Sequence, residues 1–187
     1  MQQAVKMRYE EWKEQQDRAR SGRQNEMRLE FDSRSCNESF ARVAVAAFMT
    51  QLNPTVEEVS DVRTAVSEAV TNAIIHGYEG KVRKVVIVCT IRGQELSVEV
   101  TDEGKGIANV PLAMEPLYTT KAECDRAGMG FAFMEAFMDS LEVESEPGKG
   151  TRVRMTKRIA REKSYSQPAV CARENEAEDH SAAQAER

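Results

Sequence analysis

The hydrophobic period changes repeatedly along the chain, and the changes lay out its elements. Met27-Arg28-Leu29-Glu30-Phe31 alternates apolar and polar residues, as a half-buried strand does. Ser35-Cys36-Asn37-Glu38 has the S-x-x-E form of a capping box. Phe40, Val43, Ala44, Ala47, Phe48 and Leu52 follow at helical spacing, which predicts a helix over 36–52, stopped by Pro54. Thr55-Val56-Glu57-Glu58 is a second capping box. Beyond it Val59, Val62, Val66, Ala69, Val70, Ala73 and Ile74 mark the buried face of a longer helix that runs to Gly77 and Gly80. Val82–Ile91 and Glu95–Thr101 are Val/Ile-rich strands around an Arg92-Gly93-Gln94 turn. Positions 104–127 form a long irregular stretch, and such loops in compact domains are usually functional or mobile. Gly128-Met129-Gly130 opens a third helix with Phe131, Met134, Phe137 and Met138 on its apolar side. Two strands then flank Glu146-Pro147-Gly148-Lys149-Gly150. About three helices and five strands with mostly hairpin connections predict an α/β two-layer sandwich, its sheet mixed and mostly antiparallel.

Composition adds boundaries. The chain has 187 residues, enough for one domain with a sizeable core, and carries a net charge of −5. Positions 1–26 form a charged extension with few apolar residues, and 164–187 an Ala/Glu/Ser/Gln-rich tail with too little hydrophobicity for a core. The working domain is expected at 27–163, net −3. An acidic chain lacks the basic surface that a general nucleic-acid binder needs. No apolar run approaches the ~20 residues that span a bilayer, and no secretory signal opens the sequence, so a cytoplasmic location with reduced thiols is expected. The four cysteines lie far apart and only two histidines are present, which argues against a zinc site.

Four short motifs carry candidate chemistry. Glu68 and Asn72 stand at i and i+4, and His76 follows another i+4 along the same helix stripe. A carboxylate there can orient or deprotonate a nucleophile, and the Asn oxygen can ligate Mg2+. Asp102-Glu103-Gly104-Lys105-Gly106 directly follows a strand. Its carboxylate can accept the exocyclic amine of adenine, while the glycines let backbone approach the base. Gly128-Met129-Gly130 lies at a helix start, where backbone N–H groups bind phosphate. Gly150-Thr151 sits where a turn enters a strand. Taken singly, each also has an ordinary reading as a polar edge, turn or hinge, although an Asn inside a helix is less easily dismissed. Their succession, E-x-x-x-N, D-x-G-x-G, G-x-G and G-T within about 85 residues, is far more specific. A P-loop is absent.

That succession resembles the nucleotide-binding boxes of the gyrase/histidine-kinase ATPase superfamily, the Bergerat fold. Asn37–Val43, Val66–Tyr78 and Pro116–Lys121 further resemble the anti-sigma F factor family of endospore-forming bacteria, over about residues 25 to 163. The resemblance implies a small homodimeric protein-serine kinase. Such a protein binds a sporulation sigma factor and uses ATP and Mg2+ to phosphorylate a serine of an anti-anti-sigma factor, leaving ADP, with no direct contact to nucleic acid or membrane. It implies Glu68 as general base or positioning group on the serine, and Asn72 as the Mg2+ ligand. Asp102 would bind adenine N6, with Gly104 and Gly106 beneath the base and Thr151 in support. Thr119, Thr120 and Lys121 would form a lid over the phosphates. Arg126 would act near the γ-phosphate and the partner protein. Gly128, Met129 and Gly130 would form the phosphate-binding turn, and Arg42 would contact the partner.

The turn at 77–81 and the segment between Ile107 and Pro116 are shorter than the family pattern, without loss of a motif residue. Residues 1–26 have no counterpart in the family, and Met7 or Met27 is an alternative start. A stress-response anti-sigma kinase and a sigma-binding module without catalysis are the competing readings. A sensor histidine kinase fragment is disfavoured, because no histidine precedes Glu68.

Overall fold

The computed structural model describes residues 24–115 and 129–160. In chain order the elements are β1 (Gln24–Asp32), α1 (Cys36–Met49), α2 (Val56–Asn72), β2 (Lys84–Arg92), β3 (Glu95–Asp102), α3 (Val110–Met114), α4 (Gly130–Phe137), β4 (Ser140–Glu146) and β5 (Gly150–Arg158). The strands form one sheet in the order β1-β2-β3-β5-β4. Every pairing is antiparallel, where a mixed, mostly antiparallel sheet was expected. β1 begins three residues before the expected domain start.

Alternation along the strands decides which face is buried. Val85, Ile87, Cys89 and Ile91 of β2 point inward, as do Leu96, Val98 and Val100 of β3 and Val153 and Met155 of β5. The opposite face carries a lattice of charges. Arg154 Nη2 donates to Glu99 Oε2 at 2.8 Å, and Arg152 Nη1 to Glu144 Oε2 at 3.1 Å. Exposed ion pairs are worth about 0–1 kcal/mol each, whereas a fully buried Val or Ile contributes roughly 1.5–3 kcal/mol. The inward face therefore holds the sheet, and the charged face keeps it wetted.

The helices cover the inward face, with α2 packed between α1 and α4. Val62, Ala65, Val66, Ala69 and Val70 form the buried stripe of α2, close to the face expected from the sequence, and Ala73 and Ile74 extend it. The small residues at 65, 69 and 73 let the helix approach its neighbours. α2 is followed by a π-helical turn, Ala73–Gly77, closed by the Tyr78 N–H on the Ala73 carbonyl at 3.2 Å. Behind α4, Lys157 Nζ donates to the Phe137 carbonyl at 2.6 Å and pairs with Asp61 Oδ2 at 3.0 Å. One half-buried ammonium thus caps the end of α4 and ties it to α2 and β5.

The two capping boxes have different outcomes. At Thr55 the box forms: Glu58 N–H donates to Thr55 Oγ1 at 3.1 Å and Thr55 N–H to Glu58 Oε2 at 2.7 Å. At Ser35 it does not, because Ser35 already has helical angles (φ −56°, ψ −30°) and its side chain makes no capping bond. Glu38 instead turns to α2, where its Oε1 accepts the Ser67 hydroxyl at 2.6 Å. The first helix is α-helical only to Met49 and tightens to a 3-10 turn over Thr50–Leu52. The stretch expected to be irregular contains α3, capped by Asn109 Oδ1 on Leu112 N–H at 3.0 Å. Thr55→Ala should lower stability by about 1 kcal/mol, and Ser35→Ala by much less. Urea midpoints of the two variants check this contrast.

Candidate functional site

Asp102 is the last residue of β3 and falls in the inward register of Leu96, Val98 and Val100. Alternation thus carries a carboxylate into the apolar layer, where it is 6% exposed. Gly104 N–H donates to its Oδ1 at 2.8 Å, and the Thr151 backbone N–H also bonds to it. Burial pushes the Asp102 carboxyl above its ordinary range, and the two backbone donors pull against that rise.

The loop after Asp102 is held from several sides. Lys105 N–H donates to the Gly77 carbonyl at 2.9 Å, and Gly148 N–H to the Lys105 carbonyl at 2.7 Å. Ile107 N–H donates to Ser145 Oγ at 2.8 Å, and the Ser145 hydroxyl in turn donates to the Gly150 carbonyl at 2.9 Å. Gly106 has φ +71°, and a Cβ there would lie 2.1 Å from the Glu146 carbonyl oxygen, so only glycine fits.

The polar stripe of α2 faces the same region. A Cβ on Gly130 would sit 3.3 Å from both Glu68 Oε2 and Asn72 Nδ2. The backbone at the start of α4 therefore lies directly against the Glu68 and Asn72 side chains. One turn on, Gly77 packs against the Asp102 carboxylate, roughly 7 Å along the helix from Asn72. Between these ends lies a cavity of about 420 Å3, within the size range of small-molecule sites. Its polar lining includes Asn72, His76, Asp102 and Thr151, and Ile107 and Phe131 contribute apolar wall.

Of the residues singled out from the sequence, Asn72, Asp102, Gly106, Gly130 and Thr151 line this one cavity. Glu68 and Gly104 adjoin it through Gly130 and Asp102. Met129 is the N-cap residue of α4. Thr119, Thr120, Lys121, Arg126 and Gly128 lie outside the described residues. Arg42 is not part of the cavity. It lies on α1, its Nε 3.5 Å from Glu38 Oε1 and its Nη2 3.3 Å from Ser39 Oγ. Sequence reasoning missed Ser145 and Tyr78. Ser145 follows inward Leu141 and Val143 in the β4 alternation, which is the one signal that could have pointed to it.

Comparisons with known proteins bear on the fold and the family. The sequence profile of the histidine kinase-like ATPase domain matches residues 31–157. A crystal structure of the RsbU and RsbW domains of Rv1364c from Mycobacterium tuberculosis shares the fold. Its TM-score is 0.55 at 20% identity, covering 73% of this chain and 32% of that one. The fold is that of a histidine kinase-like ATPase domain, a nucleotide-binding class. Within that class the relatives are much closer. The anti-sigma F factor of Thermoanaerobacter sp. (strain X514) is 60% identical over 139 residues, which is 74% of this chain and 97% of that protein. That of Caldanaerobacter subterraneus subsp. tengcongensis is 61% identical over 137 residues, 73% of this chain and 96% of its own length. That of Clostridium kluyveri (strain ATCC 8527) is 62% identical over 133 residues, 71% and 94% respectively. This chain belongs to the anti-sigma F factor family.

Burial of Asp102 has a consequence for stability. The ionised carboxylate is disfavoured in the nucleotide-free protein, so it lowers stability at pH 7. That loss is recovered as pH falls through the raised pKa toward about 4, the ordinary carboxylate value. Asp102→Asn removes the charge. The nucleotide-free variant should melt above wild type at pH 7, with the gap closing toward about pH 4. Thermal melts across that range check the sign.

Proposed function

We propose that this chain is an anti-sigma factor and protein-serine kinase. It binds a sporulation sigma factor and uses Mg-ATP to phosphorylate a serine of an anti-anti-sigma factor. The observation that carries the reading is the cavity's division of labour. A buried carboxylate lies at one end, and Glu68 and Asn72 meet the backbone of Gly130 at the other. The names of the close relatives support the sigma-factor part.

In this reading Asp102 accepts the adenine N6 amine, supported by Thr151. The loop at Gly104 and Gly106 lies along the base, and Gly128, Met129 and Gly130 present the turn that receives the phosphates. Glu68 takes the proton of the substrate serine hydroxyl as its oxygen bonds to the γ-phosphorus. The bond to the bridging oxygen breaks and ADP leaves. Thr119, Thr120, Lys121 and Arg126 cover the phosphates, with Arg126 also near the partner. Arg42 on α1 contacts the partner protein. The working domain is 27–163, it acts as a homodimer, and it operates in the cytoplasm without contacting nucleic acid.

The donor set fits magnesium. Among the described residues no cluster of three or more His, Cys, Asp or Glu side chains could hold a metal. Mg2+ at nucleotide sites takes one or two protein oxygens, with phosphates and water supplying the rest. Asn72 would hold it through its carboxamide oxygen, and the ion supplies neutralisation of phosphate charge when bound. Among the described residues no helix is long and apolar enough to cross a membrane.

The full chain, γ-labelled ATP and the cognate anti-anti-sigma protein should give label on a serine. Glu68→Ala should slow transfer about 10²–10⁴-fold while nucleotide still binds. Absence of label with the wild-type chain would overturn the kinase reading. Capture of the sporulation sigma factor over the stress-type one tests the partner assignment.

A further inference from the structure

Tyr78 lies outside the four motifs, yet it contacts the backbone of one of them. The residue is 4% exposed. Its hydroxyl donates to the Lys84 carbonyl at the start of β2 and accepts the Glu103 N–H at 2.8 Å. A tyrosine hydroxyl has one proton, and a backbone N–H can only donate, so both roles of the oxygen are set. Burial pushes the Tyr78 hydroxyl above its ordinary pKa, which keeps that proton in place at neutral pH.

The Glu103 nitrogen belongs to the same rigid peptide plane as the Asp102 carbonyl. Across that plane sits Gly150, with φ +96°. A Cβ there would lie 1.9 Å from the Asp102 carbonyl oxygen and 2.7 Å from Glu103 Cα. The peptide is therefore gripped between the Tyr78 hydroxyl and the bare Cα of Gly150. The residue before Tyr78 completes the grip, since a Cβ on Gly77 would lie 2.8 Å from Asp102 Oδ1. Gly77 and Tyr78, carried on the turn that ends α2, thus address the carboxylate and the peptide behind it.

We propose that Tyr78 is a positioning residue for base selection: its hydroxyl fixes the Asp102–Glu103 peptide and so aims the Asp102 carboxylate at the amine of adenine. The proposal rests on the adenine reading of Asp102 given above. A residue that only fills the core would matter equally for every nucleotide. A residue that aims Asp102 matters for nucleotides with a 6-amino group and not for those without one. Without the hydroxyl, the Glu103 N–H and the Lys84 carbonyl both lose this bond and the peptide is freer to turn.

The test compares ATP with inosine triphosphate, which has the same ribose and phosphates but a 6-oxo group. Dissociation constants are measured for the full wild-type chain and for Tyr78→Phe, which keeps the ring. The wild-type chain should prefer ATP by about tenfold or more, the scale of one hydrogen bond to a charged group. Tyr78→Phe should bind inosine triphosphate as the wild type does and lose most of the preference for ATP. A preference that survives unchanged in the variant overturns the proposal alone, whether both affinities hold or both fall together. A wild-type chain with no preference overturns the Asp102 reading, and this proposal with it. Amide exchange in the wild-type chain supplies a check independent of how the variant folds. The Glu103 N–H should exchange slowly, and exchange at the rate of an open loop overturns the proposal.

Discussion

A strand that alternates inward apolar residues would ordinarily place a fourth one after Leu96, Val98 and Val100, and here that position is Asp102. Burying a carboxylate costs free energy unless it is hydrogen-bonded, and much of the site's construction answers that cost. Gly104 and Thr151 supply backbone N–H groups, Gly77 and Gly150 remove the side chains that would collide, and Tyr78 holds the following peptide. Replacing Asp102 by an apolar residue would suit the core better. The protein instead carries a carboxylate whose burial is only partly compensated.

The second organising element is α2, which serves the core and the cavity with different stripes. Val62, Val66, Ala69 and Val70 pack against the sheet and the neighbouring helices, while Glu68 and Asn72 face Gly130. The spacing that buries one stripe fixes the direction of the other. The Lys157 contact to Phe137 and Asp61 does the same for α4, setting it against α2 at the end remote from Gly130. The geometry around Glu68 and Asn72 therefore inherits its precision from ordinary packing.

Much of this was legible in the sequence because it depends on local periodicity. The strands around Leu29, Ile87 and Val98 and the long helix through Val66 follow from spacing alone, and so does the shared face of Glu68, Asn72 and His76. Reading failed where a local pattern had a stronger distant partner. Ser35 and Glu38 match a capping box, but Ser67 draws Glu38 across to α2. It failed again where a role depends on a long-range contact. Nothing near Tyr78 in the chain announces Glu103, and nothing near Ser145 announces Ile107. The short helix α3 escaped notice because five residues are too few to show a period.

Cys89 of β2 illustrates what an uninterrupted inward face implies for chemistry at the surface. It points into the core between Ile87 and Ile91, and burial pushes its thiol up to about 12. At neutral pH it is neither ionised nor reachable, whereas Cys36, at the start of α1, is exposed. An alkylating reagent applied to the native chain would therefore modify Cys36 and spare Cys89 until β2 separates from the helices. The protein carries, within its own sequence, a chemical clock for the opening of its core.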